Sequence, residues 1–128
     1  MKNGPIDKSK LAKTDQEYRA LAAGNADWIA RTADDVRQLR QSGDCPLAKL
    51  PERDFQEFLA SLEFKGGGVA DGYYKPLMSS LSLTEIFEVF ECFGMSREYF
   101  ISSSDYSCSE YNCDNTPGAF CSHLCKRQ

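Results

Sequence analysis

Apolar side chains recur every three or four positions along most of this chain, and the recurrence stops near residue 102. Thr14 to Gly24 places Tyr18 and Leu21 on one face, with Thr14 able to cap, Asp15 and Glu17 in the first turn and Gly24 at the exit. Asn25 offers a second cap. From there to Gln41 the positions Ile29, Ala33, Val36 and Leu39, with Trp28 beside them, keep a helical spacing opposite Asp27, Asp34, Arg37 and Gln41. Gly43 and Pro46 stop that helix. Pro51 suits the first position of the next one, and Phe55, Phe58, Leu59 and Leu62 form its apolar stripe. Gly66, Gly67 and Gly68 follow and predict a flexible corner, because consecutive glycines weaken any regular element. A short helix is expected over Pro76 to Leu81. Ser82 with Glu85 matches a capping box and opens a helix through Phe93 that Gly94 closes. Its residues Ile86, Phe87, Val89, Phe90 and Phe93 cover a wider face than a solvated helix shows. Ser96 to Ile101 predicts one or two further turns carrying Tyr99 and Phe100.

The pattern predicts an all-α fold: a small bundle of four or five helices over residues 14–101, preceded by a flexible N-terminal arm over 1–13. Residues 102–128 are expected to form an irregular cysteine-rich C-terminal tail. They are rich in small polar residues, show neither helical nor strand period, and are too polar to build a core unaided. Cys108, Cys113, Cys121 and Cys125 are spaced C-x4-C-x7-C-x3-C within this tail. Three readings of them stay open, one being free or modified thiols. Disulfides would hold the tail in an oxidising compartment, and a structural zinc held by the four thiolates would replace the missing core. His123, the single histidine, is an alternative ligand.

The segment CSEYNCDNTPGAFC, from Cys108 to Cys121, resembles part of an epidermal-growth-factor-like module in its short cysteine interval, its Asn-Thr-Pro-Gly turn and its aromatic residue before a cysteine. The likeness covers fourteen residues of 128. The upstream cysteines of a full module are missing, and Phe120 adjoins Cys121 directly, so no calcium or receptor role is carried over.

Composition narrows the classes of function. Nineteen acidic against fifteen basic side chains leave a net charge of −4, which gives no basic footprint for nucleic acid. No window reaches the roughly 20 apolar residues of a membrane span, so no transmembrane segment is expected. The absence of a signal peptide points to the cytoplasm, or to secretion if the chain is a processed form. No catalytic cluster stands out: the single histidine limits acid–base machinery, and Lys65-Gly66-Gly67-Gly68 lacks the phosphate-binding pattern. The expected function is a non-catalytic accessory or protein–protein interaction module that binds another protein and needs no cofactor beyond the zinc alternative. Phe87, Phe90 and Phe93 are candidate contact residues if their face is not wholly internal, joined by Tyr73 and Tyr74, since aromatics are enriched at interfaces. Two alternatives belong to other classes. One is a precursor whose Ser/Thr/Cys-rich tail is enzymatically modified. The other is a small enzyme using carboxylates such as Glu88 with Glu91, Asp34 with Asp35, or Glu52 with Glu57 on a helical scaffold.

Overall fold

Thr14 and Thr32 open the first two helices by the same device. Thr14 Oγ1 accepts the Glu17 N–H and starts α1 (Asp15–Ala23), and Thr32 Oγ1 accepts the Asp35 N–H and starts α2 (Ala33–Ser42). The structure, a computed structural model, describes residues 8–43, 45–108, 113–122 and 124, the side chains of residues 107, 108, 113 and 114 excepted. The second helix therefore begins later than the apolar spacing from Asn25 suggests. Trp28, Ile29 and Ala30 are buried without being helical, the Ala30 N–H being taken by Cys92 O at 2.8 Å. Burial, and not helix periodicity, placed those apolar residues in the sequence.

Further along, α3 (Glu52–Ser61) buries Phe55, Phe58 and Leu59. The Ser82–Glu85 capping box, with both reciprocal bonds made, opens α4 (Leu83–Glu91). Ser96 Oγ accepts the Tyr99 N–H to start α5 (Arg97–Ser103). In place of the short helix expected over Pro76 to Leu81 there is a 3-10 turn over Lys75–Leu77.

The chain is not all-α. Among the described residues, beside five α-helices, it carries a four-stranded antiparallel sheet of β1 (Glu63–Lys65), β2 (Gly68–Tyr73), β3 (Ser104–Cys108) and β4 (Cys113–Cys121), in the order β1-β2-β4-β3. Two segments account for the correction. Gly66 and Gly67, expected to be a flexible corner, are the two central residues of a hairpin, with φ of 64° and 88°. A two-residue turn with both φ positive matches the twist of paired strands, and glycine adopts it without a Cβ penalty.

The second segment is the tail, whose backbone pairs into the sheet where an irregular segment was expected. β4 lies between β2 and β3, matching Asp71 with Cys121, Gly72 with Phe120 and Tyr73 with Ala119 on one side. On the other side the register jumps between Ser104 and Tyr106, so Pro117 and Gly118 lie in a bulge, where proline's missing donor disrupts no ladder. Among the described residues after β3 the buried ones are Ala119 to Ser122 and Leu124, a run too brief to display a period. Phe120 enters the helical core, its ring 4.8 Å edge-on from Phe90. Phe90 in turn stacks on Phe100 at 4.2 Å.

At the other end of the chain, Ala12 is buried and bridges Met95 in parallel, donating to Gly94 O and accepting from Ser96 N–H. Residues 8–13 of the expected arm thus lie against the body.

Candidate functional site

The residues singled out by sequence divide sharply. Phe87, Phe90 and Phe93 are core, at 7%, 0% and 0% exposure, so their wide apolar face is filled from within. Phe58, Phe100 and Phe120 supply the rings against it. Tyr73 is 46% exposed and Tyr74 half-buried.

The zinc expectation is corrected, and the disulfide expectation is narrowed to Cys121 among the cysteines whose side chains are described. Among the described residues no group of three or more His, Cys, Asp or Glu side chains could hold a metal ion. Among the cysteines whose side chains are described, Cys45, Cys92 and Cys121, no two are bridged to one another: the sulfurs of Cys45 and Cys92 are unbonded at 3.7 Å. Cys121 is buried and disulfide-bonded, and a sulfur so bonded offers no thiolate to zinc. The side chains of Cys108, Cys113, His123 and Cys125 lie outside the described residues.

The corner where β2, α5 and β4 meet carries the most specific geometry. Asp105 takes a left-handed backbone, φ 68°, which aspartate tolerates better than most side chains. Its Oδ1 accepts both the Tyr74 hydroxyl at 2.7 Å and the Gly118 N–H at 3.0 Å, while Tyr74 N–H donates to Gly118 O at 2.9 Å. Those two donors hold the Asp105 carboxyl below the usual carboxylate range, the tyrosine hydroxyl more than the amide. Burial, then the facing carboxylate, pushes Tyr74 up to about 12. The Tyr74 ring meets Phe100 edge-on at 5.4 Å, Phe87 meets Phe100 at 6.0 Å, and the Arg97 guanidinium lies 4.6 Å over Phe87.

Near the residues of this clamped layer along the chain stand the large apolar residues left in solvent among the described residues. Tyr73 adjoins Tyr74, and Met78 follows the 3-10 turn that Tyr74 opens. Leu83 precedes Phe87 by one helical turn, Ile101 follows Phe100, and Tyr106 follows Asp105. Leu83, Met78 and Ile101 are the most open, at 65%, 58% and 55%. Sequence reading missed Asp105, Met78, Leu83 and Ile101. Only the bracketing of Leu83 and Ile101 by core aromatics could have hinted at them.

A cleft of about 330 Å³ is lined by Gly24, Asn25, Ala26, Asp27, Ile29, Arg31 and Asp35. It has the look of an anion site, but its cation is spent on the fold. Arg31 Nε and Nη2 donate to Ala26 O, Nη1 to Ala22 O and Gly67 O, and Nη2 also reaches Gly24 O and Leu21 O. A guanidinium has five N–H groups, and these carbonyls take all of them. Arg31 thus caps the end of α1 and ties it to the β1–β2 hairpin, where a cation also suits the negative end of the helix. Asp35 Oδ2 accepts the Arg31 N–H at 2.9 Å.

At least one member of each carboxylate pair weighed for catalysis is turned toward a cation or an amide. Glu52 meets Arg40 at 2.8 Å and Gln56 at 2.7 Å, Asp34 meets Arg37 at 3.6 Å, and Glu91 meets Lys8 at 3.6 Å. Glu85 pairs with Lys49 across two elements. Among the described residues no helix is long and apolar enough to cross a membrane. Comparison with family models, with curated proteins and with solved structures found no match to this chain.

Proposed function

We propose that this chain is a non-catalytic module that binds another protein through the apolar residues surrounding the Tyr74–Asp105 corner. One observation carries the reading. Tyr73, Met78, Leu83, Ile101 and Tyr106, the large hydrophobic side chains left exposed among the described residues, each lie within four positions of Tyr74, Phe87, Phe100 or Asp105. Exposed apolar residues scattered singly need no explanation, whereas a set that adjoins, along the chain, one packed and hydrogen-bonded layer suits recognition. That layer matters energetically. Anchors held by fixed neighbours lose less side-chain freedom on binding than anchors on a pliable loop. Phe87, Phe90 and Phe93 serve as support here, with Tyr74, and the contacts move to their exposed neighbours. Processing of the tail as in a precursor would withdraw Phe120 from the core, which weighs toward a tail retained in the working protein.

Leu83→Glu and Ile101→Lys test the reading. Both sites are exposed, glutamate in the first turn of α4 and lysine near the end of α5 agree with their helix dipoles, and each variant should keep its fold. A partner isolated from the native source and then purified should bind each variant at least about tenfold more weakly than the unchanged chain. Equal affinity for both variants and the unchanged chain would remove this surface from the account.

A further inference from the structure

Cys45 and Cys92 are separated by 47 positions, yet their sulfur atoms lie 3.7 Å apart in the interior. Cys45 precedes the 3-10 turn Pro46–Lys49 and Cys92 ends α4, so the pair lies between two segments that otherwise meet through packing and the Lys49–Glu85 ion pair. Both are free thiols, at 3% and 5% exposure. Two buried thiols in apolar surroundings would ordinarily both resist ionisation. These two diverge. The Cys92 S–H donates to Cys45 Sγ, which also receives the Leu47 N–H, and the two hydrogen bonds lower the Cys45 thiol against the opposing effects of burial and Glu88. Cys92, as the donor, is pushed up by that bond and by burial, with Glu88 and Glu91 adding to it. The S–H of Cys92 has a second acceptor at hand, Glu88 O at 3.5 Å, which frees its sulfur lone pairs toward Cys45.

We propose that Cys45 and Cys92 form a redox-active dithiol site whose substrate is hydrogen peroxide, with Cys45 as the attacking sulfur and Cys92 as the resolving one. In the first step the Cys45 thiolate attacks one peroxide oxygen. An S–O bond forms, the O–O bond breaks, and the departing hydroxide takes a proton to leave as water, giving the sulfenic acid of Cys45. In the second step Cys92 sulfur attacks Cys45 sulfur. The S–S bond forms, the S–O bond breaks, and a second water leaves with the Cys92 proton. Two thiols and one peroxide thus become one disulfide and two waters: the sulfurs lose two electrons and the peroxide oxygens gain them. The sulfurs must close to about 2.05 Å, a movement of less than about 2 Å. An external thiol reverses the change by exchange. The bridge would close a long loop and fasten the Pro46–Lys49 turn to the end of α4, so oxidation reports as added stability.

The test uses the whole chain, reduced, freed of reductant, treated with equimolar hydrogen peroxide, alkylated in denaturant and digested without reduction. The expected product is a peptide pair joined through Cys45 and Cys92, lighter by two hydrogens than its separate halves and parted by dithiothreitol. The oxidised protein should melt about 5–15 °C higher. In Cys92→Ser a dimedone adduct should accumulate on Cys45, and in Cys45→Ser none should appear on Cys92. The proposal is overturned if both residues remain alkylatable in the unchanged chain after peroxide, or if either pairs only with a tail cysteine. The mapping on the unchanged chain decides the question even if a variant does not fold.

Discussion

Phe120→Ala is expected to destabilise the protein by about 3–5 kcal/mol, in the range for truncating a fully buried aromatic. Phe120 is 0% exposed, its ring meets Phe90 at 4.8 Å and Phe100 at 6.3 Å, and it is the only tail ring in this aromatic cluster among the described residues. Since whole domains are stable by roughly 5–15 kcal/mol, one such loss is a large part of the total. A chain cut after Ser103 should fare worse and show no cooperative transition. The cut removes β4, which pairs with both β2 and β3, and strips cover from Val69, Ala70 and Phe90. It also takes away the Ser122 hydroxyl that donates to Val69 O at 2.6 Å and the Ser122 carbonyl that accepts the Tyr99 hydroxyl at 2.7 Å. Urea unfolding followed by far-ultraviolet circular dichroism, in reductant, measures both. A Phe120→Ala loss under about 1 kcal/mol, or a cooperative transition in the cut chain, would contradict the packing described.

Arg31→Ala should cost about 2–4 kcal/mol, the scale of losing several charged hydrogen bonds that are partly open to water. The carbonyls of Ala22, Leu21 and Gly24 at the end of α1 and that of Gly67 in the hairpin would lose their shared donor. Arg31→Lys should recover less than half of the loss. An ammonium is a single point with three donors and cannot reach carbonyls on three segments as the planar fork does. Urea midpoints for the two variants decide this. Equal stability of the lysine variant and the unchanged chain would mean that charge, and not the geometry of the fork, holds α1 to the hairpin.

Much of the helical half was legible because its signals are local. Thr14, the Ser82–Glu85 box and the stripes of α3 and α4 are set by bonds within one turn and by burial on one side. The later start of α2 was not, because Trp28 and Ile29 are buried by tertiary contact in a segment that is not helical. The hairpin could have been read. Two glycines between Glu63-Phe64-Lys65 and Gly68-Val69-Ala70 are a hairpin signal, overlooked because strands this short show almost no alternation. The tail was the costliest misreading. Its polar composition argued for an irregular segment, yet a strand needs few apolar residues when its backbone bonds are made on both sides and one ring is buried. The Tyr74–Asp105 bond and the Cys45–Cys92 pair rest on contacts between distant positions, of which spacing along the chain carries no trace.

Amide hydrogen exchange on the reduced, full-length protein puts the integrated tail to its most direct test. The Ser122 N–H, bonded to Ala70 O at 2.9 Å, should exchange only through global opening, with the same protection as the core amides of α4. Exchange of Ser122 at the rate of an unstructured peptide, while α4 stays protected, would show that the tail is an appendage and not part of the fold.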